Sequence, residues 1–300
     1  INYFGLNTIK SIFIGSVFFS KLILEKMIKL NINIVGVCCK KKSSFNSDFF
    51  DIGKISLKNK ISTIYTNNVN GNKFYKWAKN KKADYIFCIG WSNLLGKKIL
   101  NIPLKGTIGY HPSKLPLNKG RHPIIWAILL GLKETASTFF FMTEKPDSGK
   151  IISQKSVIIS FKDNSFSLYN KLASTAQKQI KHVLKNLKRK NIKNEPNIKK
   201  SNYWRKRNSF DGKIDWRMSA VSIYNTVRAL DKPYIGAHFF LNKRKIIIWK
   251  SKIINYKINN IEPGKFLFYK NSYPVIKCGV NAICLLKTNY KIKFKKGDYL

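Results

Sequence analysis

The chain has 300 residues, enough for two domains or one large one, and a hydrophobic fraction of 44% that allows a sizeable core. Its 20 Phe, 14 Tyr and 6 Trp residues exclude an intrinsically disordered chain. The unusual feature is a formal net charge of +43, which raises the question of a nucleic-acid partner.

Lysine rather than arginine carries this charge. The chain has 7 Arg and 50 Lys, whereas arginine is the usual residue for bidentate contacts to phosphates and bases. Because Asn and Ile are also abundant, the composition is typical of an AT-rich genome. We therefore favour biased composition over a dedicated polyanion surface, and a nucleotide phosphate stays open as a partner.

The cysteines and the apolar stretches indicate the cellular compartment of the protein. Five cysteines form no C-x-x-C pair and accompany no histidine cluster, which argues against a structural zinc site. Their odd number indicates reduced thiols in the cytoplasm. The chain has no stretch of 18 apolar residues, so we expect neither a signal peptide nor a membrane span.

Strand and helix patterns alternate along the first half. The predicted strands are 11–14, 32–38, 62–65, 85–89, 106–110, 135–142 and 151–159, and the predicted helices are 17–29, 73–79, 124–130 and 166–190. This alternation predicts an α/β fold with a Rossmann-like, mostly parallel sheet. Ligands bind beyond the carboxyl ends of such strands, where Gly90-Trp91-Ser92 and His111-Pro112-Ser113 stand.

A polar segment containing Pro196 separates a second part of the chain. After it come a predicted helix at 220–230 and short predicted strands at 246–249, 253–256, 265–268, 275–277 and 283–286. Closely spaced short strands predict a small, OB-like β-barrel. We therefore expect a catalytic domain over 1–190, a linker over 191–205 and a C-terminal barrel domain over 206–300.

The sequence contains no dinucleotide fingerprint, no P-loop and no nucleophile elbow. His111 follows a predicted strand and enters a proline-rich loop, and Asp147 lies in a turn one helix and one strand later. A histidine oriented by an aspartate is a common acid–base pair. The alternative is a histidine at a strand end and an aspartate that serves only its own turn.

A run of short motifs resembles the signature of formyltransferases that use 10-formyltetrahydrofolate. The matching residues are His111-Pro112-Ser113-Lys114-Leu115-Pro116, Gly120-Arg121, Pro123-Ile124-Ile125-Trp126-Ala127, Gly131, Glu134-Thr135-Ala136-Ser137-Thr138, Asp147-Ser148-Gly149 and Gln154. The segment Phe210-Asp211-Gly212-Lys213-Ile214-Asp215-Trp216 and the residues after it resemble the second domain of that family. The resemblance covers nearly the whole chain.

The resemblance implies a mechanism and a set of site residues. An amine attacks the formyl carbon of 10-formyltetrahydrofolate, and a tetrahedral intermediate with an oxyanion forms. His111 resembles the general acid/base, and Asp147 the carboxylate that holds it; no metal is implied. The residues that resemble the folate-lining positions are Ser113, Lys114, Leu115, Pro116, Arg121, Thr143, Glu144, Lys145 and Pro146.

Within that family, the chain looks most like enzymes that formylate nucleotide-linked amino sugars, which feed surface polysaccharides such as lipopolysaccharide. This rests on Ser44-Phe45-Asn46-Ser47-Asp48, Gly90-Trp91-Ser92 and Gly120-Arg121-His122-Pro123. Methionyl-tRNA formyltransferases are the alternative, with tRNA as partner, but they carry a longer basic loop after the second strand. Here that loop has only Lys40-Lys41-Lys42. The resemblance also implies a homodimer through the second domain.

One position departs from the family pattern. The family has an asparagine two residues before the histidine, where this chain has Gly109. Loss of one oxyanion donor typically costs about 10²–10³ in rate. We expect Asn118 or His122 to supply the missing donor, and the alternative is a catalytically weakened protein that binds folate or a nucleotide. Asn46 and Asp48 are candidate contacts to the acceptor, or parts of a polar turn.

Overall fold

The computed structural model describes residues 9–43, 48–189 and 201–300. The chain forms two compact units, each built from three segments that are separate in the sequence. The first comprises residues up to 120, 135–157 and 170–204, and the second comprises 121–134, 158–169 and 205–300. The predicted domain limits stay predictions, and residues 191–200 of the predicted linker lie outside the described part of the chain.

A seven-stranded sheet organises the first unit. Its strands are β1 (Lys10–Ile14), β2 (Asn33–Cys39), β3 (Thr63–Tyr65), β4 (Tyr85–Cys88), β5 (Gly106–His111), β7 (Glu134–Phe141) and β8 (Ile151–Ile158). They lie in the order β3-β2-β1-β4-β5-β7-β8. The first five are parallel, and β7 runs antiparallel to β5. The predicted mostly parallel α/β sheet is therefore confirmed.

Helices α1 (Phe18–Lys29), α3 (Asn72–Asn80) and α6 (Ser165–Arg189) lie where the sequence predicted helices. Two short helices, α2 (Gly53–Lys58) and α4 (Lys97–Leu100), were not predicted. Apolar residues that recur at helical spacing along α6 are all buried: Leu168, Leu172, Ala176, Ile180, Leu184 and Leu187. Strand β1 is apolar on both faces, as expected when helices cover both sides of a parallel sheet.

Polar loops gather at the carboxyl edge of this sheet. The chain leaves β1 towards β2 on one side, and returns later to β4 on the other, so β1 and β4 border the topological switch point. There the Ser16 N–H donates to the Gly90 carbonyl at 3.2 Å. The Ser20 hydroxyl donates to the carbonyl of Ile89 at 2.6 Å. The loops after β1 and β4 are thereby fixed to each other.

The proline-rich loop after β5 acquires a small sheet of its own. Strand β6 (Lys119–Gly120) pairs in parallel with β9 (Tyr203–Trp204). The Asn118 N–H also donates to the Asn202 side-chain oxygen at 2.7 Å. The loop is therefore tied to a segment more than 80 residues later in the chain.

A five-stranded antiparallel sheet organises the second unit. Its strands are β10 (Ala237–Leu241), β11 (Arg244–Ile254), β12 (Phe266–Lys270), β13 (Tyr273–Lys277) and β14 (Ala282–Thr288), and its helices include α5 (Pro123–Leu129) and α7 (Ala220–Ala229). The sheet lies where the sequence predicted the OB-like barrel, so the predicted second architecture is confirmed. Val275, Ala282 and Cys284 lie at the centre of one of its apolar clusters.

Strand β11 corrects the prediction of two separate strands at 246–249 and 253–256. It is one strand whose register against β14 shifts between Ile248 and Lys250 and again between Lys250 and Ser251. Each shift interrupts the alternation of apolar and polar residues. The sequence pattern therefore breaks although the strand continues.

Asp211 stabilises the start of segment 205–300 of the second unit. Arg205 donates two hydrogen bonds to this carboxylate, which also accepts the N–H of Asn208. The hydrogen bonds from Arg205 hold the pKa of Asp211 at about 2. Because the pKa is lowered on folding, the resulting stability is present above pH 3.8 and is lost as the pH falls through about 2.

We expect Asp211→Asn to lower the free energy of unfolding by about 1 kcal/mol at pH 7. This figure is smaller than the pKa shift alone would give, because water around the exposed Arg205 screens the ion pair. Chemical denaturation at several pH values measures it, and wild type and variant should converge between pH 4 and 2. Asp215→Asn is the matched control, because the Asp215–Arg217 pair is far more exposed. An equal loss in both variants would contradict the larger contribution expected from the less exposed Asp211–Arg205 pair.

Candidate active site

His111 is the last residue of β5, at the carboxyl edge of the sheet. Its side chain is 8% exposed, and both ring nitrogens face oxygen atoms. Nδ1 lies 3.6 Å from Oδ1 of Asp147, and Nε2 lies 3.1 Å from the main-chain oxygen of Asn118. The predicted histidine and aspartate are therefore neighbours, although their contact is longer than a normal hydrogen bond.

Asp147 is held in the turn between β7 and β8. Its φ of +52° lies in the left-handed region, which aspartate tolerates better than most residues. Oδ2 accepts the N–H of Gly120 at 3.0 Å, so that Oδ1 is left to face His111. A Cβ on Gly149 would collide with the Phe141 carbonyl, so the turn requires glycine there.

The two contacts of His111 restrict its protonation during a reaction. A carboxylate and a carbonyl both accept, so both contacts are hydrogen bonds only when both ring nitrogens carry protons. To take a proton from a substrate, Nε2 must release the oxygen of Asn118. The arrangement is chemically suited to moving a proton between the ring and a group that replaces this oxygen.

Lys119 is a site residue that the sequence reasoning missed. It is 5% exposed, and its Nζ donates to the Ser148 hydroxyl, beside Asp147, at 3.1 Å. Burial and the nearby Lys145 lower the pKa of Lys119, and the charge of Asp147 opposes them. The available signal was its position between two family motifs. In a chain with 50 Lys, however, residue type alone does not show which lysine is buried.

The predicted folate-lining loop is held from below by β7 and β8. The Ser113 main-chain oxygen accepts the Thr138 hydroxyl at 2.7 Å. The Leu115 oxygen accepts Nε2 of Gln154 at 2.9 Å. Leu115 itself is buried, whereas Lys114 and Pro116 are more exposed. The loop therefore has a fixed shape beside His111, and its contact with folate stays a prediction.

The second predicted folate-lining segment is the turn from Thr143 to Pro146, which leads into Asp147. The Thr143 hydroxyl donates to the Lys145 carbonyl at 2.9 Å. Glu144 forms an exposed ion pair with Lys97 at 3.5 Å. The structure gives this turn a local shape and leaves its folate role as a prediction.

Gly109 lies on the same face of β5 as His111 and pairs with Phe140 on β7. A Cβ there would lie 2.9 Å from Cζ of Phe140 and 2.8 Å from Cγ of Met142. Side chains of β7 and of the residue after it therefore fill the volume that the family asparagine would need.

The two expected replacements for that asparagine lie in different units. Asn118 is in the first unit, where its main-chain oxygen faces His111 and its side-chain oxygen accepts from Asn202 at 3.1 Å. Its amide nitrogen is the group able to donate to an oxyanion. His122, like Arg121, belongs to the second unit. Both substitutions for the family asparagine stay predictions.

Lys40 and Trp91 lie at the carboxyl edge, after β2 and β4. Lys40 is 8% exposed, and its Nζ lies 4.9 Å from the Trp91 ring centroid. The Lys40 N–H donates to the Ser16 hydroxyl at 2.7 Å. Of the predicted acceptor contacts nearby, Asn46 lies outside the described residues, and the Asp48 carbonyl accepts the N–H of Phe18.

The sheet is doubly wound, and at its carboxyl edge the buried His111 faces Asp147, an arrangement able to support acid–base chemistry. Within residues 9–43, 48–189 and 201–300, no cluster of three or more His, Cys, Asp or Glu side chains could hold a metal ion. In the same ranges, every helix is too short or too polar to span a bilayer.

Comparison with known proteins identifies the family. The formyl transferase family model matches residues 9–184, and the model of the formyl transferase C-terminal domain matches residues 207–296. The chain therefore belongs to the formyl transferase family, which confirms the predicted family.

Individual relatives agree with this assignment. The chain is 36% identical over 273 residues to the bifunctional polymyxin resistance protein ArnA of Wigglesworthia glossinidia brevipalpis, covering 89% of this chain but only 41% of that protein.

Two solved structures share the fold. One is WlaRD, a sugar 3N-formyl transferase determined in the presence of dTDP and 5-N-formyl-THF, with a TM-score of 0.68 and 20% identity over 95% of this chain and 99% of that one. The other is an N-formyltransferase from Helicobacter canadensis in complex with folinic acid and dTDP-3-aminofucose. Its TM-score is 0.69, with 21% identity over 92% of this chain and 98% of that one.

Proposed function

We propose that this protein transfers a formyl group from 10-formyltetrahydrofolate to the amino group of a nucleotide-linked amino-deoxysugar. The observation that carries the proposal is the His111–Asp147 pair, 3.6 Å apart at the carboxyl edge of β5. Transfer of a formyl group to an amine needs a residue that removes a proton from the amine. A histidine held by a carboxylate can do this near neutral pH.

Each site residue has a defined part in this proposal. His111 exchanges its contact with Asn118 for the substrate amine and takes its proton as the amine attacks the formyl carbon. The bond between this carbon and N10 of the folate then breaks, and His111 returns the proton to N10 as tetrahydrofolate leaves. Asp147, fixed by the Gly120 N–H, holds Nδ1 and offsets the positive charge that the ring gains. The buried Lys119 adds positive charge beside Asp147.

The acceptor is proposed from the relatives and from the loop after β2. Two proteins of similar fold are described with dTDP or a dTDP-linked amino sugar. In this chain Lys40 points into the fold against Trp91, which leaves Lys41 and Lys42 as the exposed lysines of the segment 40–43. Two exposed lysines supply little of the basic loop expected for a tRNA substrate.

The test compares acceptors directly. The full chain is incubated with 10-formyltetrahydrofolate and either dTDP- and UDP-linked amino sugars or aminoacylated initiator tRNA, and mass spectrometry and acid-stable label detect the formylated product. We expect formylation of at least one sugar nucleotide and none of the tRNA. The His111→Ala variant is the control for enzyme-dependent transfer.

Each other outcome has a clear meaning. Formylation of tRNA alone would replace the sugar proposal by the tRNA alternative. Binding of folate without transfer to any acceptor would favour the weakened protein that Gly109 brought into question. The cytoplasmic location and the homodimer stay predictions.

A further inference from the structure

The side chain of Asn202 holds Asn118, the residue whose main-chain oxygen faces Nε2 of His111. Oδ1 of Asn202 accepts the Asn118 main-chain N–H at 2.7 Å, and Nδ2 of Asn202 donates to Oδ1 of Asn118 at 3.1 Å. The Asn202 main-chain oxygen also accepts the Lys119 N–H at 3.2 Å. One residue, 84 positions later in the chain, therefore fixes both the main chain and the side chain of Asn118.

These contacts leave one orientation for the Asn118 amide. A main-chain N–H can only donate, so the Asn202 atom opposite it is the amide oxygen. The remaining amide atom of Asn202 is a nitrogen, which also donates, so the Asn118 atom opposite it is Oδ1. Asn118 is partly exposed, and its Nδ2 makes no hydrogen bond within the described part of the chain. This nitrogen is therefore the donor that Asn202 leaves free.

Residues 118–120 contact both members of the histidine–aspartate pair. The Asn118 oxygen lies 3.1 Å from Nε2 of His111, and the Gly120 N–H donates to Oδ2 of Asp147 at 3.0 Å. Asn118 has a φ of +60°, in the left-handed region, which asparagine tolerates better than most residues. A movement of this segment would alter both contacts of the pair, so its anchor to Asn202 affects the geometry of the site.

The proposed reaction forms an oxyanion close to Asn118. The substrate amine takes the place of the Asn118 oxygen at Nε2 of His111, and the oxyanion forms on the carbon that this amine attacks. Since the oxyanion is only two bonds from the attacking nitrogen, it forms within reach of the Asn118 side chain. Gly109, on the same face of β5 as His111, has no side chain that could donate. An amide N–H that is already oriented suits the developing negative charge.

We propose that Asn202 is a positioning residue: it aims Nδ2 of Asn118 at the oxyanion, to which this nitrogen donates. Asn118 is the catalytic residue of the two, because it alone touches the reacting atoms. Neither side-chain contact of Asn202 involves the Asn118 carbonyl, so both persist when Nε2 of His111 exchanges that carbonyl for the amine. This inference rests on the proposed function and adds a source of oxyanion stabilisation to it.

Amide hydrogen exchange, measured by NMR or mass spectrometry, tests the positioning without any turnover. Asn202→Ala should speed exchange at Asn118 and at Gly120 by about 10-fold, the effect of losing roughly one hydrogen bond from the segment. Gly120 is the decisive position, because its acceptor is Asp147 and the substitution removes none of its own hydrogen bonds. Unchanged exchange at Gly120 would overturn the role of Asn202 as an anchor.

Asn289→Ala is the matched control. Like Asn202, Asn289 is exposed and its amide connects distant segments: Oδ1 accepts the Ile247 N–H at 2.8 Å, and Nδ2 donates to the Lys245 oxygen at 3.4 Å. Its removal should speed exchange at Ile247 and leave both Gly120 and the rate of formyl transfer unchanged. Faster exchange at Gly120 in this variant would indicate a general loss of stability and overturn the specific anchor.

Steady-state kinetics tests the donor. Asn202→Ala should lower kcat about 10- to 100-fold, with each KM changed less than about threefold, because the contact is made in the transition state. Asn118→Ala removes the donor and should lower kcat about 10²–10³-fold, with little further loss in the double variant. Asn202→Asp separates the two contacts, since a carboxylate still accepts the Asn118 N–H but attracts Nδ2 in place of Oδ1. We expect it to keep slow exchange at Gly120 and to lose kcat.

The outcomes separate this inference from the proposed function. Full kcat in Asn118→Ala or in Asn202→Asp would overturn the donor role of Nδ2. Losses confined to KM would overturn it as well, since the contact would then act in the ground state. A wild-type chain that formylates no acceptor would refute the proposed function, whereas the exchange experiment would still decide whether Asn202 positions the segment. Circular dichroism verifies that each variant is folded.

Discussion

His111→Ala is expected to lower the rate of formyl transfer by about 10²–10⁴-fold, the contribution typical of a general acid–base residue. The loss should appear in kcat, because the ring moves a proton during the reaction and adds little to ground-state binding. Steady-state kinetics with the best acceptor measures it. The fold should survive, since the ring has few partners.

Asp147→Asn tests the pair. Asparagine keeps the size of the side chain and an oxygen for the Gly120 N–H, but removes the charge that faces Nδ1 of His111. We expect a smaller loss than for His111→Ala, and little further loss in the double variant, because the two residues act as one unit.

His182→Ala is the matched control for these variants. His182 lies on α6, where Nδ2 of Asn186 lies 3.3 Å from its ring nitrogen, and it is exposed. Its removal should leave kcat unchanged. Full activity of His111→Ala would exclude His111 as the acid–base residue, and losses that multiply in the double variant would contradict the pair.

Gly109→Asn restores the family residue and is expected to destabilise the protein by about 1–3 kcal/mol, without raising activity. Phe140 is 4% exposed, and its ring occupies the volume that the new side chain would need. Asparagine at this position must displace that ring or bury its amide without partners. Thermal and urea unfolding measure the loss.

Two further variants separate crowding from other effects of asparagine. Gly71→Asn is the matched control, because a Cβ on Gly71 would make only ordinary contacts, with Asn68 at 3.4 Å or more, and Gly71 precedes α3 in an extended conformation, where asparagine is a favourable cap. It should be neutral or stabilising. Gly109→Asn combined with Phe140→Leu should recover part of the lost stability. A fully stable Gly109→Asn single variant would show that β7 does not exclude the asparagine.

The fold was largely predictable because its signals are local. Apolar runs bounded by glycine and polar residues identify β1, β4 and β5, and the apolar face of α6 repeats at helical spacing. Short elements escaped: α2 has six residues and β6 has two, too few for any period to emerge. Strand β10 was missed as well, although Ala237–Leu241 lies in the matched second domain.

The sequence was enough to predict which residues form the candidate site, but not which of their side chains are in contact. The motif around His111 and the turn at Asp147 are visible in the sequence, and the resemblance connects them. That Lys119 is buried beside Asp147, and that Phe140 fills the space at Gly109, follow only from packing. Sequence spacing carries no information on which side chains occupy the same volume.

The sequence by itself determined the family and the alternating α/β pattern, and it singled out the histidine and the aspartate of the candidate site, because these depend on residue type and short-range spacing. Its charge of +43 could not be interpreted alone. The tertiary structure decided which cations matter: Lys40 packs on Trp91, and Lys119 is buried beside Asp147. Burial removes water from these charges, so their partners become necessary, and burial arises only when distant segments pack together.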